Sequence, residues 1–284
     1  MKGRSQKASP RAFAASPDPL RRSIVAKKTI HQLDVDDRRV FIRVDFNVPL
    51  HDGVIDDDTR IRAAVPTLTY ALNHGATVIL GSHLGRPKGT ANPTLTLRPV
   101  ATRLAEVLGR RVVFAEDALG DAVTAALSQT GPGGVVLLEN LRFHPGETAN
   151  DPAFAEALAA PADCYVNDAF GSAHRAHAST TGIVKHLPDA ASGLLLAAEL
   201  RHLSAVLASP PRPFVAILGG AKVSGKLEVI EILLERVDTL LIGGAMAYTF
   251  FAARGLRVGR SLVEPALLDA TRTIERNAGR DRKS

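Results

Sequence analysis

The chain has 284 residues, 45% hydrophobic and 23% charged, the composition of a globular protein long enough for one large domain or two ordinary ones. Its single cysteine, Cys164, excludes a disulfide framework and a cysteine metal cluster and points to a reducing, cytoplasmic setting. The net charge of +6 does not describe a nucleic-acid face, because Lys2, Arg4, Lys7, Arg11, Arg21 and Arg22 stand against Asp18 in the first 24 residues and the remainder is close to neutral.

No stretch approaches the ~20 apolar residues of a membrane span, so neither a membrane nor a nucleic acid is expected as a partner. Residues 1–24 are rich in Ser, Pro, Ala and Arg, without an apolar period. They are expected to be a disordered or mis-called N-terminal extension, with Val25 as an alternative initiator.

From Val40 onward, short β-branched runs alternate with helical patterns. Strands are predicted at Val40 to Val44, Thr77 to Leu80, Arg111 to Phe114, Val135 to Leu138 and Cys164 to Val166. Ile61, Val65, Leu68 and Leu72 define a helix with Thr59 as N-cap, Gly75 at its stop and a kink at Pro66. A second helix is predicted from Arg98 to Leu108, ended by Gly109. This succession implies a parallel sheet with helices on both faces.

Ligands of such sheets collect beyond the carboxyl ends of the strands. Asp45 and Asn47 follow the first strand, and Ser82, His83 and Arg86 the second. Glu139, Asn140, Arg142 and His144 follow the Val135 strand, and Asn167, Asp168, His174 and Arg175 the Cys164 strand. A solvated role is the ordinary reading for any one arginine. Four coincident strand ends instead describe a site for a small polyanion, which the planar guanidinium suits. His174 and His177 lack a carboxylate or thiolate partner at metal-binding spacing, so a phosphate-facing role is expected for them over zinc.

Gly193 to Ala208 reads as a helix ended by Ser209-Pro210-Pro211, a connector between domains. The strand Phe214 to Leu218 then leads into Gly219-Gly220-Ala221-Lys222-Val223-Ser224-Gly225-Lys226. From Gly220 this fits the phosphate-cradling pattern G-x-x-x-x-G-K, except that Leu227 stands where a Mg²⁺-binding hydroxyl belongs. A helix to Glu235, a strand Thr239 to Ile242, Gly243-Gly244 and a helix through Ala253 follow, then Ala266 to Ile274 and a basic tail, Arg276 to Ser284. Two strands cannot make a doubly wound sheet, so the second domain is expected to be unfinished. The expected division is 1–24 extension, 25–192 first α/β domain, 193–211 helix and linker, and 212–284 partial α/β domain.

Arg43 to Pro49, Gly81 to Pro87, Leu138 to Phe143, Asn167 to His177 and Gly219 to Lys226 together resemble the phosphoglycerate kinase family, in family order, from about Val25 to Leu268. The resemblance implies two Rossmann-like, three-layer α/β lobes, the second incomplete here. It also implies reversible phosphoryl transfer between 1,3-bisphosphoglycerate and ADP, giving 3-phosphoglycerate and ATP, with Mg²⁺ carried by the nucleotide and no metal site on the protein. By resemblance, Asp45, Phe46, Asn47, Arg60, His83, Leu84, Gly85, Arg86, Arg142, His174 and Arg175 bind the phosphoglycerate. Gly219, Gly220, Ala221, Lys222, Lys226 and Gly244 bind the nucleotide, and Arg60 and Lys222 jointly neutralise the phosphoryl in flight.

The family's later glycine-rich loop, which holds nucleotide phosphates and metal, is not found, and Asn277 to Ser284 resembles nothing in the family. A monomer is expected that binds 3-phosphoglycerate with impaired turnover. The alternatives are a non-catalytic phosphoglycerate-binding remnant, one half of a split kinase, and, counted against by Leu227, a P-loop NTPase.

Overall fold

The computed structural model describes residues 27–187, 189–208 and 210–280. The extension at 1–24 and the last residues of the basic tail lie outside them. Two compact units divide between Ser204 and Ala205, a point that lies within the 193–211 helix and linker read from sequence. Each is described separately.

The first unit is built on a six-stranded sheet. In chain order its elements are β1 (Arg39–Arg43), a small antiparallel hairpin β2 (Leu50–His51) and β3 (Val54–Ile55), α1 (Thr59–Asn73), β4 (Thr77–Gly81), α2 (Arg98–Leu108), β5 (Val112–Ala115), α3 (Asp121–Thr130), β6 (Val135–Leu138), α4 (Pro145–Ala149), α5 (Pro152–Ala159), β7 (Cys164–Asn167), α6 (Phe170–Ala173), β8 (Ala190–Ser192) and α7 (Leu194–Ala208). The sheet order is β5-β6-β4-β1-β7-β8, every pair parallel.

Both faces are covered, which is why the strands read as nearly continuous apolar runs. Side-chain alternation splits each strand between two cores. Val40, Ile42, Val78, Leu80, Val135, Leu137 and Val166 pack with Ile61, Leu68 and Leu104 of α1 and α2. Phe41, Ile79, Val136 and Tyr165 pack on the other face with Val123, Phe154 and Leu158 of α3 and α5. Cys164 lies in the first core, where burial pushes its thiol up to about 11.

The predicted strands stand within a residue of those observed. The N-cap of α1 is Asp58 rather than Thr59, which is its first helical residue. The Asp58 carboxylate accepts from Arg62 Nε of its own helix at 2.9 Å and from Arg103 of α2, tying the two helices together. Helix α1 runs on through Pro66, whose missing N–H leaves one i−4 bond unmade. Gly75 takes φ +74°, and the chain reverses there with Ala76 N–H on Ala71 O at 3.1 Å. The short edge strand β8 has no signal of its own in the sequence, being Ala190-Ala191-Ser192.

The second unit holds β9 (Val215–Gly219), α8 (Leu227–Leu234), β10 (Thr239–Gly243), α9 (Met246–Ala253) and α10 (Leu268–Arg280). β9 and β10 are parallel. Val223, Ile230, Met246, Phe250 and Ile274 form its core. The three layers expected of each lobe are complete in the first unit; in the second, the other face of the sheet leaves Ile217 75% and Leu241 50% exposed among the described residues. The basic tail is helical through Arg280 as the continuation of α10.

Gly193 joins β8 to α7 where a Cβ would lie 2.3 Å from Asp168 Cγ. Asp168 is 1% exposed, and its Oδ1 accepts from Leu196 N–H at 3.0 Å, closing the first turn of α7. Gly193→Ala should therefore lower the stability of the first unit by about 1–3 kcal/mol. Urea unfolding reads this directly, and an unchanged midpoint would show that Asp168 yields freely.

Candidate active site

The strand ends that the sequence singled out belong to four neighbours in the sheet, β6-β4-β1-β7. The carboxyl ends of β1, β4 and β7 are in register, with Arg43 opposite Gly81 on one side and Asn167 on the other. Backbone bonds fasten the loops that follow: Val44 N–H to Gly81 O, Leu141 N–H to Ser82 O and Asp168 N–H to Arg43 O, between 2.8 and 3.1 Å.

Buried polar side chains hold the loops in place. Ser82 is fully buried and accepts from Phe46 N–H at 2.9 Å. Asn47 Oδ1 accepts from Gly85 N–H at 2.8 Å. Asn140, 1% exposed, donates to Leu84 O and Leu95 O and accepts from Arg142 N–H at 3.1 Å. Glu139 turns away, accepting from Thr96 Oγ1 and Leu97 N–H at the start of α2, so it serves the scaffold rather than the site.

The charged groups gather on this frame. Arg142 is 7% exposed and donates to Gly85 O at 2.9 Å, while its Nε is buried without a partner among the described residues. Burial first, then Arg175 and Arg43, depress its affinity for its proton, with Glu147 opposing and Arg86 adding to the repulsion. Arg86 and Arg175 are exposed. Arg60, half exposed in the first turn of α1, pairs with Asp45, whose other oxygen accepts from Asn47 N–H at 3.2 Å. His174 is exposed just past α6, whereas His177 is buried with Nδ1 3.5 Å from Glu147 Oε1.

His83 is pushed down to about 2, by burial first and then by Arg43, Arg142, Arg175 and His177. It is a neutral imidazole among cations.

Three residues absent from the sequence-derived site complete this one. Arg43 is fully buried at the end of the central strand. Its Nε donates to Ser179 Oγ at 2.9 Å, one terminal nitrogen meets His83 Nδ1 at 3.2 Å, and the other donates to Val44 O. Glu147, also fully buried, accepts from Ser179 N–H at 2.9 Å and Ser179 Oγ–H at 2.6 Å. Its carboxyl is held below the usual range despite the opposing effect of burial, by His177, Arg43 and Ser179 in that order. An arginine directly after the apolar run Val40-Phe41-Ile42 was the available signal. Nothing local marks Glu147 or Ser179.

In the second unit, the turn after β9 places Lys226 Nζ close over Gly220, where a Cβ would lie 2.7 Å from it. Gly244, at φ +69°, allows the end of β10 to approach Gly220, and Met246 N–H donates to Gly220 O at 2.8 Å. Gly219, Ala221 and Lys222 are exposed. The Glu264 carboxylate accepts from Val223 N–H and Ser224 N–H. Two amides that a phosphate cradle would offer are thus occupied by a carboxylate.

The family model for phosphoglycerate kinase matches residues 30–284. The chain belongs to the phosphoglycerate kinase family. Similar proteins include the phosphoglycerate kinases of Picosynechococcus sp., 55% identical over 258 residues, and Moorella thermoacetica, 58% over 240. These alignments cover 89% and 84% of this chain, and 65% and 61% of the relatives. The chain thus spans less than two thirds of their length. Phosphoglycerate kinase from Coxiella burnetii superposes with a TM-score of 0.78 at 38% identity, over 91% of this chain and 65% of that one. The enzyme from Pyrococcus horikoshii superposes at 0.75 and 34%. The family match reaches beyond Leu268 through the terminal residues expected to be foreign to it.

The buried histidine gives this site a pH signature. Between pH 6.5 and about 2 the unfolded chain carries a proton on His83 that the folded chain lacks. Stability is therefore lost as pH falls through 6.5, by up to about 1.4 kcal/mol per pH unit. From pH 7 to pH 5, the ligand-free wild type should lose about 2 kcal/mol more than His83→Gln. Parallel urea unfolding series measure the difference, and equal losses would contradict a neutral buried His83.

Proposed function

We propose that this chain takes part in the phosphoglycerate kinase reaction, the reversible transfer of a phosphoryl group between 1,3-bisphosphoglycerate and ADP that gives 3-phosphoglycerate and ATP. The supporting observation is the cluster at β6-β4-β1-β7, where Arg43, Arg86, Arg142 and Arg175 outnumber the buried carboxylate of Glu147. Such a surplus of fixed charge suits a three-carbon acid that bears phosphate at one end and carboxylate at the other.

In this reading Asp45, Phe46, Asn47, His83, Leu84, Gly85, Arg86, Arg142, His174 and Arg175 form the phosphoglycerate subsite. Arg60 follows the reacting carboxyl end. The acceptor is already a carboxylate, so the protein's work is positioning and neutralisation of charge rather than proton removal. Lys222 supplies positive charge to the transferring phosphoryl and Lys226 to the nucleotide, with Gly219, Gly220, Ala221 and Gly244 leaving room for it.

Mg²⁺ enters as part of the nucleotide substrate. Among the described residues no group of three or more His, Cys, Asp or Glu is placed to hold a metal ion. The carboxylate of Glu264 on the amides of Val223 and Ser224 counts against autonomous P-loop hydrolysis, because those amides are not free for phosphate. No described helix is long and apolar enough to cross a membrane. A cytoplasmic, monomeric enzyme without a nucleic-acid partner is the setting we propose.

Calorimetry with 3-phosphoglycerate tests the acceptor site. Binding that is lost on Arg142→Ala and Arg175→Ala is expected, and an absence of binding by the wild-type chain would overturn the assignment. A coupled kinase assay measures the transfer that the 284-residue chain supports. Arg60→Ala and Lys222→Ala should each lower turnover by about 10³-fold or more, as for charge-stabilising arginines in other phosphoryl transfers. A loss below tenfold would remove either residue from that role.

A further inference from the structure

Behind the exposed arginines, one continuous chain of hydrogen bonds runs Glu147, Ser179, Arg43, His83. Glu147 accepts from Ser179 Oγ–H at 2.6 Å, Ser179 Oγ accepts from Arg43 Nε at 2.9 Å, and an Arg43 terminal nitrogen lies 3.2 Å from His83 Nδ1. Each member is nearly or fully buried. The direction of the chain is chemically forced. A guanidinium has donors and no acceptor, so the nitrogen it meets on His83 must be the unprotonated one. The Ser179 hydroxyl has one proton, and a carboxylate can only accept it, which leaves the oxygen free to receive from Arg43.

We propose that Glu147, Ser179 and Arg43 are positioning residues that lock His83 as the neutral Nε2–H tautomer, so that it offers a bound anion one uncharged hydrogen-bond donor. Nε2 has no hydrogen-bond partner among the described residues, whereas Nδ1 is engaged. Burial, and then the charges of Arg43, Arg142, Arg175 and His177, oppose a second proton on the ring. Glu147 offsets the charge of Arg43, a role that none of the strand-end residues fills. The last link, donation to a phosphoglycerate, rests on the function proposed above; the tautomer and its relay do not.

Long-range proton–nitrogen correlation on the full chain labelled with ¹⁵N-histidine, without ligand, reads the tautomer of each ring. His83 is assigned by the signal lost in His83→Gln. The expected wild-type pattern is an acceptor-type Nδ1 and a protonated Nε2, unchanged as pH falls from 7.5 to 5.5. Ser179→Ala and Glu147→Gln should raise the Nδ1–H form or let the ring protonate within that range, while Ser179→Thr, which keeps the hydroxyl, should restore the wild-type pattern. A wild-type His83 that is Nδ1–H or doubly protonated overturns the proposal, as does a His83 unmoved in both folded variants. Where a variant fails to fold, the wild-type tautomer and its constancy with pH decide. Adding 3-phosphoglycerate should then shift Nε2 and leave Nδ1; an unmoved Nε2 alongside the expected tautomer would defeat the phosphoglycerate reading and not the relay.

Discussion

A guanidinium buried to zero exposure at the end of the central strand is the constraint around which the first unit is arranged. Taking an ion out of water costs several kcal/mol unless an opposite charge and a full set of acceptors go with it. Arg43 meets that requirement through Ser179 and Glu147, a backbone carbonyl and one histidine nitrogen. These partners come from α4, from the turn after α6 and from the loop after β4. Satisfying one side chain thus obliges the segments after four adjacent strands to converge.

The convergence fixes the electrostatics of the site. Arg142 and His83 are crowded by like charge and by burial, and respond differently. The guanidinium keeps its proton because its intrinsic affinity is so high, while the imidazole gives its proton up. What results is permanent positive charge from arginines with a neutral donor among them, already assembled on a rigid sheet edge. The second unit handles charge otherwise. There a carboxylate, Glu264, pins the turn after β9 through the amides of Val223 and Ser224, so those two are not free to meet a phosphate.

Much of this was legible in the sequence. β-Branched runs located the seven predicted strands to within a residue, because burial on two faces leaves few polar positions in a strand. The loops after them announced Asp45, Asn47, His83, Arg86, Arg142 and Arg175, since a strand end is where this architecture displays polar groups. Asp58 rather than Thr59 as cap is a one-residue matter. β8 was missed because Ala190-Ala191-Ser192 carries no strand preference and is held by pairing with β7 and by the bridge from Ser192 to Thr29. The relay was missed for a different reason: Arg43 and Ser179 are 136 residues apart, and Glu147 and Ser179 are 32 apart. No local pattern connects them.

By itself, then, the chain's order of residues determined the parallel α/β architecture, the strand ends that carry charge and, through five motifs in order, the family. Those properties follow from short-range periodicity and from residue chemistry, which need no third dimension. Only the tertiary structure decided which of the polar residues are buried together: that Glu139 serves a helix end, that His177 turns inward while His174 stays exposed, and that Arg43 stands behind His83. Burial and hydrogen-bond partnership are properties of pairs brought close by the sheet, and the protonation states of the site follow from them.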